Sequence, residues 1–379
     1  MSRTTWLQSA ADASKVLLPG TDRAVGPART LEMAGRAAPL VGITRVADIT
    51  RLDHIGIPTF QAIRPASRTL AVSQGKGVTP DLARLSAMME SIELWHAEQP
   101  MPAHTVSPPR ELDLGYDVAA LPLSSPTVLH EGLPIAWVPG RSLVDGSETL
   151  VPRDTVTFRL TRKTGWNAPV FFESTNGLAS GNTLVEATLH ALYEVVERDA
   201  VTAWLTGRDK GELVDALSIG SPVIDVLCEL MARARVTMEC RSVPSPTGLS
   251  VFVVRITCDD YPPPFMGYGC HLSAEIALSR AITEAAQSRL AYISGARDDL
   301  KAGAQRQLAS EYPALVEGGA GIQEAPARGS LVDDLDDVVK RAAVAFGHAP
   351  MVADLTRADI GVPVARVLAP GSRVIPEVF

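Results

Sequence analysis

The chain has 379 residues, of which 46% are hydrophobic, 21% charged and 5% aromatic. This composition is typical of a globular protein with an aliphatic core and excludes a disordered chain. The net charge of −8 makes nucleic acid a poor candidate partner. Because no apolar stretch is long enough to span a membrane and the first residues lack the apolar core of a signal peptide, we expect a cytoplasmic protein without a membrane partner. The cysteines predict reduced, buried thiols, because their spacing excludes a CxxC site: Cys228, Cys240, Cys258 and Cys270.

The first elements that the sequence predicts are strands. Residues 1–41 carry no clear periodicity, whereas in residues 42–66 short apolar runs alternate with turn residues. The motif Val46-Ala-Asp-Ile-Thr-Arg51 recurs as Val352-Ala-Asp-Leu-Thr-Arg357. This repeat indicates either two related strand pairs or a chance similarity of two strands.

Two capped helices follow, each after a turn rich in glycine or asparagine. Residues 81–98 follow the turn Ser73–Gly77, with Thr79 suited to the cap and Pro80 to the first turn. Residues 184–205 form the second helix, and Thr183-Leu-Val-Glu186 fits a capping box.

The residue pattern in the second half of the chain predicts a helix, then strands, then two more helices. Residues 215–270 carry the first part of this pattern, and a helix begins near Ser273 and ends near Ile293. Residues 301–330 are small and polar, which predicts an excursion or linker. Residues 332–346 predict a last helix before a terminal strand.

Three of the predicted helices carry acidic side chains on one face of an otherwise apolar surface. The polar positions are Ser86, Glu90 and Glu93; Glu194, Glu197 and Arg198; and Arg280, Glu284 and Gln287, all at helical spacing. Buried carboxylates are costly unless they are paired or bind a cation. Magnesium with phosphate would satisfy this set, because Mg²⁺ prefers oxygen ligands and guanidinium groups suit phosphate oxygens. Three solvated helix faces with ordinary ion pairs are the alternative.

The turns before the helices are weaker signals. Lys76 in the glycine-rich turn could contact a phosphate, although the P-loop spacing is absent and a plain turn is the alternative. The amides of residues 176–183 could face an anion at a helix N-terminus, or simply form a capped loop. The metalloprotease, hydrolase and dinucleotide-binding motifs are absent, and the scattered histidines favour structural roles.

These motifs together resemble the YcaO family of ATP-dependent enzymes that modify peptide backbones. The resemblance covers most of residues 42–299 through GITRVADITRLDHIGIP, SQGKG…SAMMESIE, NGLASGNTLVEATLHALYEVVERDA and ALSRAITEAAQSRLAYISGARDD. The segments ELWHAE and GCH resemble the subgroup encoded beside TfuA partner proteins. The resemblance implies an α+β fold with mixed or antiparallel sheets, in which the three acid-bearing helices converge on one cleft for ATP and magnesium.

The resemblance also implies a role for individual residues. The implied ATP contacts are Arg23, Thr30, Lys76, Ser86, Asn182, Arg198 and Arg280, and the implied Mg²⁺ ligands are Glu90, Glu93, Glu194, Glu197 and Glu284. Residues 1–41 are expected to contribute to the nucleotide site, residues 42–300 to form the core, and residues 331–379 to pack on that core as a helix and strand unit.

The reaction implied by the family is the activation of a backbone amide. A nucleophile adds to the carbonyl carbon, ATP phosphorylates the resulting oxyanion, and phosphate leaves. External sulfide gives a thioamide, whereas a Cys, Ser or Thr side chain gives an azoline. We expect a thioamide, because TfuA-associated members are linked to that product and residues 373–379 lack the PxPxP pattern of many azoline-forming members.

Two alternatives remain: an azoline-forming cyclodehydratase, and a non-catalytic adaptor, which the presence of all five glutamates disfavours. The expected partners are a peptide or protein substrate, a TfuA-like protein, a separate peptide-recognition protein and a second copy of the chain.

Overall fold

The computed structural model of the chain describes residues 15–158, 170–296, 321–322, 324 and 329–375. In these residues seven helices occur: α1 (Pro27–Leu40), α2 (Pro80–Glu98), α3 (Arg153–Val156), α4 (Leu184–Leu205), α5 (Pro222–Arg233), α6 (Ala274–Ser294) and α7 (Leu331–Phe346). The early strands are β1 (Val16–Leu18), β2 (Thr21–Arg23), β3 (Arg45–Asp48), β4 (Thr59–Ile63), β5 (Val72–Lys76), β6 (Thr105–Ser107), β7 (Ile135–Ser142) and β8 (Glu148–Pro152). The later strands are β9 (Leu178–Ser180), β10 (Glu212–Val214), β11 (Thr237–Ser242), β12 (Ser250–Cys258), β13 (Tyr261–His271), β14 (Met351–Asp354) and β15 (Val364–Leu368).

The described strands form four antiparallel sheets, which confirms the α+β class. The sheet orders are β1-β2, β3-β4-β5, β10-β11-β12-β13 and β6-β7-β14-β15-β9, with β8 paired to β7. Strands β9 and β15 are far apart in the sequence but pair with each other, and Ala365 lies opposite Ala179. Most of the predicted linker, residues 301–330, lies outside the described residues.

The predicted helix boundaries are confirmed within a few residues, because their caps form as expected. The side chain of Thr79 accepts a hydrogen bond from the amide of Leu82, and that of Thr183 accepts one from the amide of Glu186. Ser273 caps α6 through the amide of Ile276. Each cap satisfies one of the helix amides that have no partner within the helix.

Three parts of the chain share one arrangement, which we call the strand–helix units. Each unit is a strand that leads directly into a long helix packed on its own sheet: β5 with α2, β9 with α4, and β13 with α6. In each case the cap residue follows the strand after a short turn. The three helices therefore begin at equivalent places relative to their strands.

Glycine allows two of these helices to lie directly on their strands. A Cβ atom on Gly75 would lie 2.0 Å from the amide nitrogen of Ala87, and one on Gly269 would lie 2.0 Å from the carbonyl oxygen of Ala277. Gly75 and Gly269 both stand four residues before their cap, where the α4 unit has Ala179. The α2 and α6 units thus pack more closely than a side chain at this position would permit.

The repeated motif corresponds to two hairpins of the same design. In β3-β4 the Asp48 side chain accepts from the Thr50 amide, and in β14-β15 the Asp354 side chain accepts from the Thr356 amide. Each threonine hydroxyl also accepts a hydrogen bond from the first amide of the next strand. The donor to Thr50 is the amide of Thr59, and the donor to Thr356 is the amide of Val364. The structure therefore favours the interpretation of two related strand pairs over chance similarity.

Helix α1 was not predicted from the sequence pattern. It begins at Pro27, and its buried residues Ala34 and Ala37 face the core beside α2. The cysteines agree with the sequence prediction: three are buried and Cys228 is half-buried, and all four are free thiols.

Candidate active site

The polar faces of α2, α4 and α6 line a single cavity of about 890 Å³. All twelve residues for which the sequence predicts a role lie in its wall: Arg23, Thr30, Lys76, Ser86, Glu90, Glu93, Asn182, Glu194, Glu197, Arg198, Arg280 and Glu284. The structure therefore brings these residues together, while their individual roles as ligands stay predictions.

Equivalent positions in the three helices supply nine of the polar residues in the wall. Counted from the cap, the seventh residues are Ser86, His190 and Arg280, the eleventh are Glu90, Glu194 and Glu284, and the fourteenth are Glu93, Glu197 and Gln287. These positions share one helix face, because they recur at intervals of three and four residues. Two units therefore present a pair of carboxylates, and the α6 unit presents a guanidinium, one carboxylate and an amide.

His190 is a wall residue that the sequence argument missed. Its position relative to Thr183 matches that of Ser86 relative to Thr79 and of Arg280 relative to Ser273. Alignment of the three caps is the signal that could have found it.

Several carboxyl groups of the wall are buried, and burial changes their protonation. The amide and the hydroxyl of Ser180 donate to Glu93 Oε1 over 2.9 and 2.6 Å. Burial nonetheless raises the pKa of Glu93 to about 8 and, with help from the nearby charge of Glu284, that of Glu197 to about 7. Burial raises the pKa of Glu194 as well. A cation in the cavity would reverse these shifts, because it favours the ionised form.

The N-terminal segment is attached to the start of α4 through Glu186. The Glu186 carboxylate accepts from the Ala24 amide over 2.9 Å and from Asn182 Nδ2 over 3.0 Å, and lies 3.6 Å from Arg23 Nε. The Thr30 hydroxyl donates to Asn182 Oδ1 over 2.8 Å. This network places Arg23 and Thr30 in the cavity wall.

The role of Glu186 differs from the capping box that the sequence predicts. Thr183 caps the helix as expected. The Glu186 carboxylate, however, is used by residues of the N-terminal segment and by Asn182 rather than by the cap residue. In a capping box, the Glu186 carboxylate would accept a hydrogen bond from the amide of the cap residue. Here it accepts one from the amide of Ala24 instead, which lies 162 residues away in the sequence.

The cationic side chains of the wall have defined partners. Lys76 forms an ion pair with Glu284, which joins β5 to α6. Arg198 Nη2 lies 3.8 Å from Glu194 Oε1. Arg280 Nη2 lies 2.6 Å from the Nε2 atom of His190. The chain thus holds positive groups in position around the same cavity as its carboxylates.

The donor set fits magnesium that is bound together with phosphate. In the described part of the chain, no three His, Cys, Asp or Glu side chains form a group that could hold a metal ion by themselves. Mg²⁺ is usually bound through one or two carboxylates, with phosphate oxygens and waters completing its octahedron. The paired glutamates of α2 and α4 match that requirement, and the lysine and arginines match the phosphate charge.

The helices of the described residues include none that is both long and apolar enough to cross a membrane. This agrees with the polar stripes that α2, α4 and α6 carry.

Comparison with known proteins gives concordant matches. A family model described as YcaO cyclodehydratase, ATP- and Mg²⁺-binding, matches residues 74–373. An uncharacterised protein of Mycobacterium tuberculosis (strain CDC 1551 / Oshkosh) is 39% identical over 364 residues, covering 93% of this chain and 82% of that protein. A protein of Rhizobium leguminosarum bv. trifolii, described as uncharacterised and in the tfuA 3′ region, is 33% identical over 380 residues, covering 93% and 89%.

The fold is also that of a solved structure. YcaO from Methanopyrus kandleri, bound with AMPPCP and Mg²⁺, superposes with a TM-score of 0.78 at 24% identity, covering 95% of this chain and 94% of that one. With a family model that spans most of the chain and a relative at 39% identity, the expected family is confirmed. This chain is a member of the YcaO family.

Proposed function

We propose that the chain is an ATP- and Mg²⁺-dependent enzyme that activates a backbone amide of a peptide. The observation that carries the proposal is the convergence of two carboxylate pairs and four cationic side chains on one cavity. A nucleotide polyphosphate with its metal ions has the charge pattern that such a wall complements. Membership of a family described as ATP- and Mg²⁺-binding supports the same assignment.

Some residues of the wall would bind the metal ion, and others would bind the phosphate groups. The glutamates of α2 and α4, together with Glu284 of α6, would hold Mg²⁺, and Lys76, Arg198 and Arg280 would face phosphate oxygens. Bound Mg²⁺ would supply neutralisation of phosphoryl charge. The network of Glu186 would keep Arg23 and Thr30 at the nucleotide. The carbonyl oxygen of the peptide amide, once phosphorylated, becomes a leaving group that the unmodified amide lacks.

We further propose that the product is a thioamide formed with a TfuA-like partner. The support is the relative located in a tfuA 3′ region, which covers 93% of this chain. In this reaction a sulfide adds to the amide carbon, the carbonyl oxygen accepts the terminal phosphoryl group of ATP, and phosphate and ADP leave. The amide carbon then carries sulfur in place of oxygen.

Azoline formation is the second candidate, because the family model is described as a cyclodehydratase. The same activation would then serve a Cys, Ser or Thr side chain of the peptide as nucleophile. The two products differ in mass: a thioamide gains the difference between sulfur and oxygen, and an azoline loses one water. Mass spectrometry of a peptide incubated with the chain, a TfuA-like protein, Mg·ATP and sulfide distinguishes them.

Calorimetric titration of Mg·ATP into the pure protein tests the activation step. We expect saturable binding to the wild type and a loss of binding in both Glu194→Gln and Glu284→Gln. Glu229→Gln is the matched control, because Glu229 lies on the exposed surface of α5 and pairs only with Arg233 in the described residues. A folded wild type that binds no Mg·ATP, or variants that bind as well as the control, would contradict the proposed function.

A further inference from the structure

The contact between His190 and Arg280 differs chemically from the other cationic contacts of the cavity. Lys76, Arg198 and Arg23 each lie beside a glutamate, whereas Arg280 forms no ion pair with a carboxylate in the described part of the chain. Its Nη2 atom lies 2.6 Å from Nε2 of His190. His190 and Arg280, each the seventh residue after the cap of its helix, thus contact each other in the cavity wall.

The chemistry of the two groups determines the state of the imidazole. A guanidinium group can only donate hydrogen bonds, so Nε2 of His190 must accept and the ring must be neutral. The surroundings favour this state, because burial and the neighbouring charges of Arg280, Arg23 and Lys76 lower the pKa of His190 well below its ordinary value.

A neutral acceptor has a consequence that a carboxylate in its place would not have. A glutamate at position 190 would also orient the guanidinium, but its negative charge would cancel most of the attraction between Arg280 and a phosphate. An imidazole orients the group and adds no negative charge to that of the nearby Glu194 and Glu197 carboxyl groups. Charge-assisted hydrogen bonds of this kind are about twice as strong as neutral ones, so the arrangement is well defined.

We propose that His190 is a positioning residue that holds Arg280 through a neutral imidazole and so orients it toward the polyphosphate of the bound nucleotide without adding a negative charge beside it. This inference rests on the proposed function, because it takes the cavity as the nucleotide site. It adds a residue to that site and assigns a reason for its chemical type.

The test is calorimetric titration of Mg·ATP into four variants. His190→Phe removes the acceptor and keeps a ring, and we expect it to weaken binding about tenfold. His190→Gln restores a neutral acceptor and should recover most of the affinity. His190→Glu should weaken binding about as much as the phenylalanine, because it neutralises the guanidinium. The matched control, His104→Phe, replaces an exposed histidine outside the cavity.

A double-mutant cycle separates positioning from a general structural role. If His190 acts through Arg280, the His190→Phe change should alter affinity less than twofold in an Arg280→Ala background. His190→Leu replaces the phenylalanine variant if thermal unfolding shows that the latter does not fold. The inference is overturned if His190→Phe binds like the wild type, if its effect persists without Arg280, or if His190→Glu binds as tightly as His190→Gln. Failure of the wild type to bind Mg·ATP would instead overturn the proposed function.

Discussion

The α4 and α6 units are built alike and present different chemistry to the same cavity. Both consist of a strand, a short turn, a cap residue and a long helix whose seventh, eleventh and fourteenth residues lie in the wall. In α4 the last two of these positions are the carboxylates Glu194 and Glu197. In α6 they are Glu284, which is paired with Lys76, and Gln287, whose amide donates to the carbonyl of Gln74 over 3.0 Å.

The difference shows that the position of a side chain in the cavity wall and its chemical type vary independently in this protein. The distance from the cap determines where a side chain lies, and the residue type determines what it can bind. Of the two units, α4 presents a pair of carboxylates, whereas Glu284 and Gln287 of α6 both contact β5. Under the proposed function, α6 would contribute Arg280 toward phosphate and one carboxylate rather than a carboxylate pair.

The first expected effect is on the free energy of unfolding and comes from a position where the α4 and α6 units pack differently. The α4 unit has Ala179 four residues before its cap, and the α6 unit has Gly269. We expect Gly269→Ala to lower the free energy of unfolding by about 3 kcal/mol, because the new Cβ would lie 2.0 Å from the Ala277 carbonyl oxygen. Denaturant unfolding of the purified variant measures this.

Gly35→Ala is the control for that substitution. Gly35 lies within α1, where a Cβ would meet nothing within 4 Å, so the variant should be more stable by about 0.5–1 kcal/mol. A Gly269→Ala protein as stable as this control would show that α6 does not depend on close contact with β13.

A smaller effect is expected when the α6 unit is given the carboxylate pair of α4. Gln287→Glu loses the amide donor and places a carboxylate oxygen against the Gln74 carbonyl, which should cost about 2 kcal/mol of unfolding free energy. Gln287→Met removes the hydrogen bond without adding charge and should cost about half as much. If the glutamate variant were as stable as the wild type and bound Mg·ATP more tightly, the α6 unit would be a metal unit like α4.

The last expected effect is a pH dependence that arises from the burial of Glu93. Since the pKa of Glu93 is raised from 4.5 to about 8, its contribution to stability is fully present below pH 4.5 and is lost as the pH rises through 8. We expect the free energy of unfolding of the nucleotide-free protein to fall over this range, and to fall less in Glu93→Gln. Urea unfolding at several pH values measures both slopes. Parallel slopes for the two proteins would contradict a buried, protonated Glu93.

The boundaries of the long helices could be predicted from the sequence because their signals are local. Thr79, Thr183 and Ser273 each stand directly before an apolar helix and bond to amides within the next three residues. The acidic stripes could be recognised for the same reason, since they depend only on spacing within one helix. The family resemblance then extended the candidate site to Arg23, Thr30 and Asn182.

The parts that could not be predicted depend on distant residues. The contact between Glu186 and the Ala24 amide joins positions 162 residues apart, and no local pattern indicates it. The contact between His190 and Arg280 joins two helices that are far apart in the sequence, so no pattern within α4 indicates it. Helix α1 escaped prediction because Gly26 at its cap position offers no side-chain cap and because Gly35 and Pro39 lie within the helix, which packs beside α2.

The pairing of β9 with β15 has a consequence for the order in which the protein matures on the ribosome. Strand β9 leads into α4, yet its partner strand is synthesised long after α4 has been made. The α2 unit, by contrast, has its neighbouring strands β3 and β4 available before its helix is translated. The nascent chain can therefore complete the α2 unit early, whereas the α4 unit must wait for residues 364–366 to emerge. The α4 side of the cavity wall is therefore completed later than the α2 side.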